Sequence, residues 1–203
     1  PSSIKYIDTQ LRKSNDVSGI NKVYPRTNYE LELDGKYDEV SKLYRSNTLR
    51  NIKKSAPLND ITEQVETDDF IQLKKHNDIT KRRNTHYDWL RKYVDTVIEN
   101  NAGKIVGSII DGKLVAAAMF GFYKDRIYYL IPVSSSKGKE NMSMFCILDH
   151  VIKTNCDKME ILDFEGSNIP GIARFFEGFG AVKTTYYNLK INRLPFILRI
   201  LKK

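Results

Sequence analysis

The chain has 203 residues and a mass of 23.5 kDa, with 41% hydrophobic and 11% aromatic residues, a composition that excludes an intrinsically disordered protein. No apolar run approaches the ~20 residues that a membrane-spanning helix needs. The formal net charge of +8 suits an anionic partner, whether a phosphate-bearing cofactor, a nucleic acid or a membrane face, and equally a solubilising surface.

The start, Pro1 to Lys5, lacks the apolar stretch of a signal peptide, and an opening without Met reads as a trimmed piece of something longer. Residues 1–27 form a polar segment, read as a remnant of a preceding domain, with one strand-like run at Lys5–Leu11. The main domain is expected over 28–203. Asn28–Leu33 alternates apolar and polar residues as a half-buried strand does. Three helices follow. Tyr37–Ala56 keeps an approximate helical period through Val40, Leu43, Tyr44 and Ile52 and stops at Pro57. Thr67–Lys74 opens on a Thr-Asp-Asp start. Thr85–Asn100 is expected to bury Trp89, Tyr93, Val97 and Ile98.

From Lys104 the pattern changes to a meander of three strands, Ile105–Ile110, Leu114–Tyr123 and Ile127–Val133, joined by Asp111-Gly112 and by Lys124-Asp125-Arg126. A basic loop, Ser134–Asn141, leads into a helix carrying Met144, Ile147, Leu148, Val151 and Ile152 on one face. A buried strand at Met159–Phe164, a helix at Ile169–Phe179 and a strand at Thr184–Ile191 complete the domain. The tail Leu194–Leu201 reads as a basic amphipathic helix. A helix between two strands of the second half implies a parallel crossover. The expected fold class is therefore α/β (α+β): a mixed sheet, antiparallel meander plus βαβ crossover, with helices on both faces.

Cys146 and Cys156, roughly 15 Å apart along one helix, are too distant to bridge and are expected to be reduced, as in the cytoplasm. His76, His86 and His150 show no metal-ligand spacing, so no metal is expected.

Two segments carry the chemistry. The loop before the long helix, with Ser135, Ser136, Lys137, Gly138, Lys139, Asn141 and Met142, offers backbone N–H groups at a helix start and two lysines to a phosphate, although the same residues make ordinary solvated loops. Pro132, which has no N–H to donate, marks a place where strand pairing ends or bulges. The second segment is Asp163-Phe164-Glu165-Gly166-Ser167. Asp163 and Glu165 share one face of a strand and can take a proton from an attacking ammonium; Glu165, at the strand end, is the candidate base, and Asp163 reads as structural. Arg50, Lys53 and Lys54 form a basic cluster suited to phosphates.

The run Ile172-Ala173-Arg174-Phe175-Phe176-Glu177-Gly178-Phe179-Gly180-Ala181 resembles the late helix of GNAT acetyltransferases, an aromatic pair before a closing glycine. Taken with Asp163–Ser167 and Arg50-Asn51-Ile52-Lys53-Lys54, it resembles the acyltransferase domain of the Fem-type peptidoglycan aminoacyltransferases over roughly Asn28–Asn192. That resemblance implies a GNAT-like fold whose two splayed strands admit an acyl-carrier thioester or an aminoacyl ester. Coenzyme A would lie on Val133 and the Ser135–Met142 segment. An amine, of a small molecule or a peptidoglycan precursor, would attack the carbonyl directly while a main-chain N–H of the splayed strand holds the oxyanion. The acceptor side is expected at Arg50, Lys53 and Ser167. The sequence departs from the family in a glycine-poor loop and in Phe176, which stands where a tyrosine often serves as general acid. Tyr186 or Tyr187 is the substitute, with Tyr187 the candidate. Three functions stay open: an acyl-CoA N-acyltransferase, a Fem-like enzyme drawing on charged tRNA, and a non-catalytic binding domain on the same fold.

Overall fold

A computed structural model describes residues 5–11, 15–18, 23–80, 82–166, 169–196 and 198. Eight strands form one sheet: β1 (Tyr6–Leu11), β2 (Val23–Glu32), β3 (Asp60–Thr62), β4 (Gly103–Ile110), β5 (Lys113–Tyr123), β6 (Arg126–Ser134), β7 (Ile161–Asp163) and β8 (Val182–Asn192). Their spatial order is β1-β8-β2-β7-β6-β5-β4-β3. Within it, β6 and β7 run parallel and every other neighbouring pair runs antiparallel. The expected meander is β4-β5-β6, and the crossover from β6 to β7 passes through α5 (Ser136–Glu140) and α6 (Ser143–Asn155). β1 and the first residues of β2 pair with β8 within the same sheet.

Strand alternation assigns each face its own core. On one face Tyr29, Leu31, Phe120, Ile127, Tyr129, Leu162 and Phe164 pack against α6 and α7 (Pro170–Gly178). Phe176 stacks on Phe164 at 4.4 Å between ring centroids and meets Tyr129 edge-on at 6.0 Å. Each such fully buried ring contributes roughly 1.5–3 kcal/mol. On the other face Ile105, Ala117, Met119 and Val133 meet α3 (Thr67–His76) and α4 (Asn84–Glu99).

A β-bulge switches β6 from one core to the other. Phe120 faces Tyr129 but Met119 faces Ile131, so Leu130 is the extra residue. Ile127 and Tyr129 consequently serve the first core, whereas Ile131 and Val133 serve the second. The sequence placed the irregularity at Pro132; the bulge lies two residues earlier, and pairing with β5 continues to Ser134.

Several elements differ from the expectation for local reasons. The single helix over 37–56 is two, α1 (Tyr37–Val40) and α2 (Ser46–Ser55), separated by a short 3₁₀ turn and an extended Tyr44 and Arg45. Tertiary contacts break it: the Arg45 N–H donates to the Gly178 carbonyl at 2.8 Å, and buried Tyr44 meets Phe179 edge-on. In α4 the buried face is Tyr87, Leu90 and Val94, because these meet Phe70 and Met119. Trp89 and Tyr93 lie outside, stacked on each other at 5.8 Å. The 134–141 segment is helical over α5. Of the tail helix expected at Leu194–Leu201, residues 197 and 199–201 lie outside the described residues. Among the described residues no helix is long and apolar enough to cross a membrane.

Candidate functional site

β6 and β7 share three rungs, from Arg126 with Ile161 to Tyr128 with Asp163, and then part. β6 runs on for six residues, while the chain leaving β7 turns toward β2: the Phe164 N–H donates to the Tyr29 carbonyl at 3.0 Å. Glu165 and Gly166 make this turn with φ of 59° and 79°. A β-carbon on Gly166 would lie 2.3 Å from the Thr27 carbonyl oxygen, so only glycine fits. Glu165 holds a left-handed conformation that costs about 1–2 kcal/mol, strain of the kind that gathers at working positions. The strands therefore fork, and beyond Tyr128 this edge of β6 pairs with no strand among the described residues. One of its carbonyls, that of Pro132, accepts from Lys74 Nζ at 3.0 Å.

α3 and α4 cover the second face only over the meander. The rest of that face, on β2, β7 and β8, is a polar concavity of about 700 Å³ lined by Asn28, Glu30, Arg126, Tyr128, Asp163 and Glu165, with Thr184 and Tyr186 on its far wall. Arg126 Nη1 lies 3.2 Å from Glu30 Oε1 and 3.1 Å from Asp163 Oδ2. Asn28 Nδ2 donates to Asp163 Oδ1 at 2.9 Å, and so does the Glu165 N–H, also at 2.9 Å. Asn28 Oδ1 is buried and has no partner among the described residues. Burial lifts the Asp163 carboxyl above the usual range despite these donors and Arg126. Glu165 is exposed as a residue, yet the crowding at its carboxyl, and then the Asp163 charge, raise it too. The arrangement is a fixed anion, Asp163, beside a less constrained carboxylate, Glu165, at the mouth of the fork. That pair can hold an ammonium group and take its proton.

The expected site residues divide between this concavity and other places. Glu165 lines it. Tyr186 lines it as well, whereas Tyr187, its neighbour on β8, pairs with Pro25 and Leu11 and alternates to the opposite side. Ser167 lies outside the described residues. Arg50 and Lys53 are exposed on α2, which packs on α6 at the opposite face of the sheet; Arg50 donates to Asn47 at 2.5 Å. Val133 is buried in the second core. Ser135 caps α5: its Oγ accepts from the Gly138 N–H at 3.1 Å and donates to the Val115 carbonyl at 2.9 Å. Ser136 begins the helix. Lys137 is paired with Asp111 at 2.6 Å, and Lys139 makes no ion pair among the described residues. Asn141 donates to the Lys137 carbonyl, and Met142 takes a left-handed φ of 53° at the start of α6. Gly138 is buried against β5, where a β-carbon would lie 2.4 Å from the Val115 carbonyl oxygen. Gly138→Val is expected to lower stability by about 1–3 kcal/mol, measured by urea unfolding. An unchanged midpoint would show the segment to be loosely held.

The sequence did not single out Asn28, Glu30, Arg126 or Tyr128. A usable signal existed in β2, where Arg26, Asn28 and Glu30 put polar groups on the face opposite Tyr29 and Leu31.

No family model and no curated protein matches the sequence. Solved structures do match in fold. FemX superposes with a TM-score of 0.68 at 10% identity, covering 100% of this chain and 69% of FemX. L-PGS from Bacillus licheniformis gives 0.56 at 12%, covering 89% of this chain and 65% of its own. A tandem GNAT protein from the clavulanic acid biosynthesis pathway gives 0.51 at 11%, covering 92% and 57%. The chain spans between 57% and 69% of the length of these proteins. It has the GNAT-like mixed fold, in a form that FemX shares.

Proposed function

We propose that this chain is an acyltransferase that passes an acyl group from a carrier to an amine by direct attack. The observation that carries the reading is the fork between β6 and β7 opening beside the Asp163 and Glu165 carboxylates. The donor carbonyl enters the fork. Glu165 takes a proton from the ammonium of the acceptor, and the freed amine forms the new C–N bond. A main-chain N–H on the open edge of β6 holds the oxyanion of the tetrahedral intermediate. Collapse breaks the carrier's C–S or C–O bond; a tyrosine of β8 gives the leaving group its proton and recovers one from the positively charged nitrogen of the intermediate, which leaves a neutral amide. Tyr186 lines the concavity, which supports it for that step over Tyr187. Nothing in this sequence of events needs a covalent enzyme intermediate.

Two donors suit the fork, acyl-CoA on the Ser135–Met142 segment and the aminoacyl ester of a charged tRNA, and both are cytoplasmic. The second gains support from the occupied state of the first site's groups, with Lys137 bound to Asp111 and Gly138 pressed on Val115. It also gains support from Ser41–Leu58, which holds Lys42, Arg45, Arg50, Lys53 and Lys54 and no acidic residue. The test is thermal unfolding with acetyl-CoA or with aminoacylated tRNA at graded salt. A donor at a hundred times its Kd is expected to add about 2.7 kcal/mol. Stabilisation by acetyl-CoA selects the first donor, and salt-sensitive stabilisation by tRNA selects the second. No response to either, together with no transfer to any amine, overturns the acyltransferase reading.

A further inference from the structure

The concavity continues along the uncovered face of β2, β8 and β1 into a second hollow of about 550 Å³ lined by Asp8, Tyr24, Arg26, Tyr186, Asn188 and Lys190. The two hollows share Tyr186, and the register explains their continuity: Asn28 faces Thr184, Arg26 faces Tyr186, and Tyr24 faces Asn188, all on one side of the sheet. Charge changes sign along this groove. One end carries Glu30, Asp163 and Glu165 around a single guanidinium, with Asn28 Oδ1, which has no partner among the described residues, as a further acceptor. The other end carries Arg26 and Lys190 around a single carboxylate. There Asp8 is occupied by Asn188 at 3.0 Å and by Lys190 at 4.0 Å. Arg26 is exposed and makes no ion pair among the described residues.

We infer that the acceptor is an amine that carries an oxyanion, carboxylate or phosphate, which Arg26 binds at the far end of the groove. Arg26 stands four residues from Glu30 on β2, or about 13 Å along the strand. Its planar fork matches a carboxylate or phosphate in two parallel hydrogen bonds. Tyr24 and Tyr186 flank it and give the connecting chain flat surfaces to lie on. The polarity of the groove fixes the acceptor's direction, because a reversed molecule would set its oxyanion against Glu30, Asp163 and Glu165 and its ammonium against Arg26 and Lys190. The amine end rests on the acceptor reading above; the oxyanion end stands on the groove.

Tetraglycine is a fitting probe, since four extended residues span about 13–14 Å between a free amine and a free carboxylate. Its binding is measured by calorimetry beside that of tetraglycine amide, N-acetyl-tetraglycine and triglycyl-phosphoserine amide. The amide is expected to bind about fivefold more weakly than the acid to the unaltered protein, and equally to Arg26→Gln. Tighter binding of the phosphoserine probe than of tetraglycine assigns the site to a phosphate-bearing acceptor, and the reverse assigns it to a carboxylate. Equal binding of acid and amide by the unaltered protein, absent binding of both included, overturns the inference. The N-acetyl probe tests the other end separately: if acetylation costs nothing while amidation does, the oxyanion site stands and the amine site falls.

Discussion

Glu165→Gln is expected to lower kcat/KM for acyl transfer by about 10²–10⁴-fold while leaving the unfolding midpoint within about 0.5 kcal/mol of the parent. The side chain stands at the mouth of the fork, exposed and without an ion pair among the described residues, so the amide loses the proton acceptor without losing packing. The same group sets a pH dependence. Its folded-state carboxyl is raised by the crowding around it and then by the Asp163 charge, so the active, ionised form disappears as pH falls through that raised value. The unaltered protein is expected to show an acid limb displaced upward from an ordinary glutamate's, and the residual activity of Glu165→Gln to lack it. Rate–pH profiles of the two proteins check this. A variant that keeps both its rate and its acid limb would remove Glu165 from the reaction.

Arg126→Met is expected to reduce stability by about 3 kcal/mol at neutral pH, because it leaves Glu30 and the largely buried Asp163 facing each other without their shared cation. The loss should shrink in acid. Asp163 already holds its proton more tightly in the folded protein than an ordinary aspartate does, through burial, and losing Arg126 moves it further that way. A carboxyl whose folded value lies above its unfolded one makes stability fall as pH rises through that interval. The deficit of Arg126→Met should therefore be small below the interval and complete above it. Urea unfolding of both proteins across pH 4.5–8 reads this directly. A deficit that does not change with pH would place its cause in lost packing of the arginine stem.

Much of the sheet was legible because its signals are local. The Asp111-Gly112 turn, the apolar runs on either side of it and the apolar stripe of α6 each lie within a dozen residues. What escaped depends on partners far along the chain. Tyr44 and Arg45 keep the helical period, and only Phe179 and Gly178, more than a hundred residues away, pull them out of it. Trp89 and Tyr93 share a helical face with Val97, yet the side of α4 that meets Phe70 and Met119 belongs to Tyr87, Leu90 and Val94. The concavity follows the same logic. Glu165 was found because it ends a strand. Asn28, Glu30 and Arg126 come from strands that meet β7 only through the sheet order, and a polar residue on a strand normally marks nothing more than a wet face.

The place of β8 bears on how the groove comes into being. Last of the eight strands in chain order, it lies between β1 and β2, the first two, and among the described residues β1 pairs with no other strand. While the polypeptide is still emerging from the ribosome, residues 6–11 have nothing to pair with until 182–192 appear. The wall that carries Asp8, Tyr186, Asn188 and Lys190 is thus assembled only once residues 182–192 are made, after the meander and its helices can have packed. A chain cut off before Val182 would hold every residue of both hydrophobic cores and lack this wall of the groove.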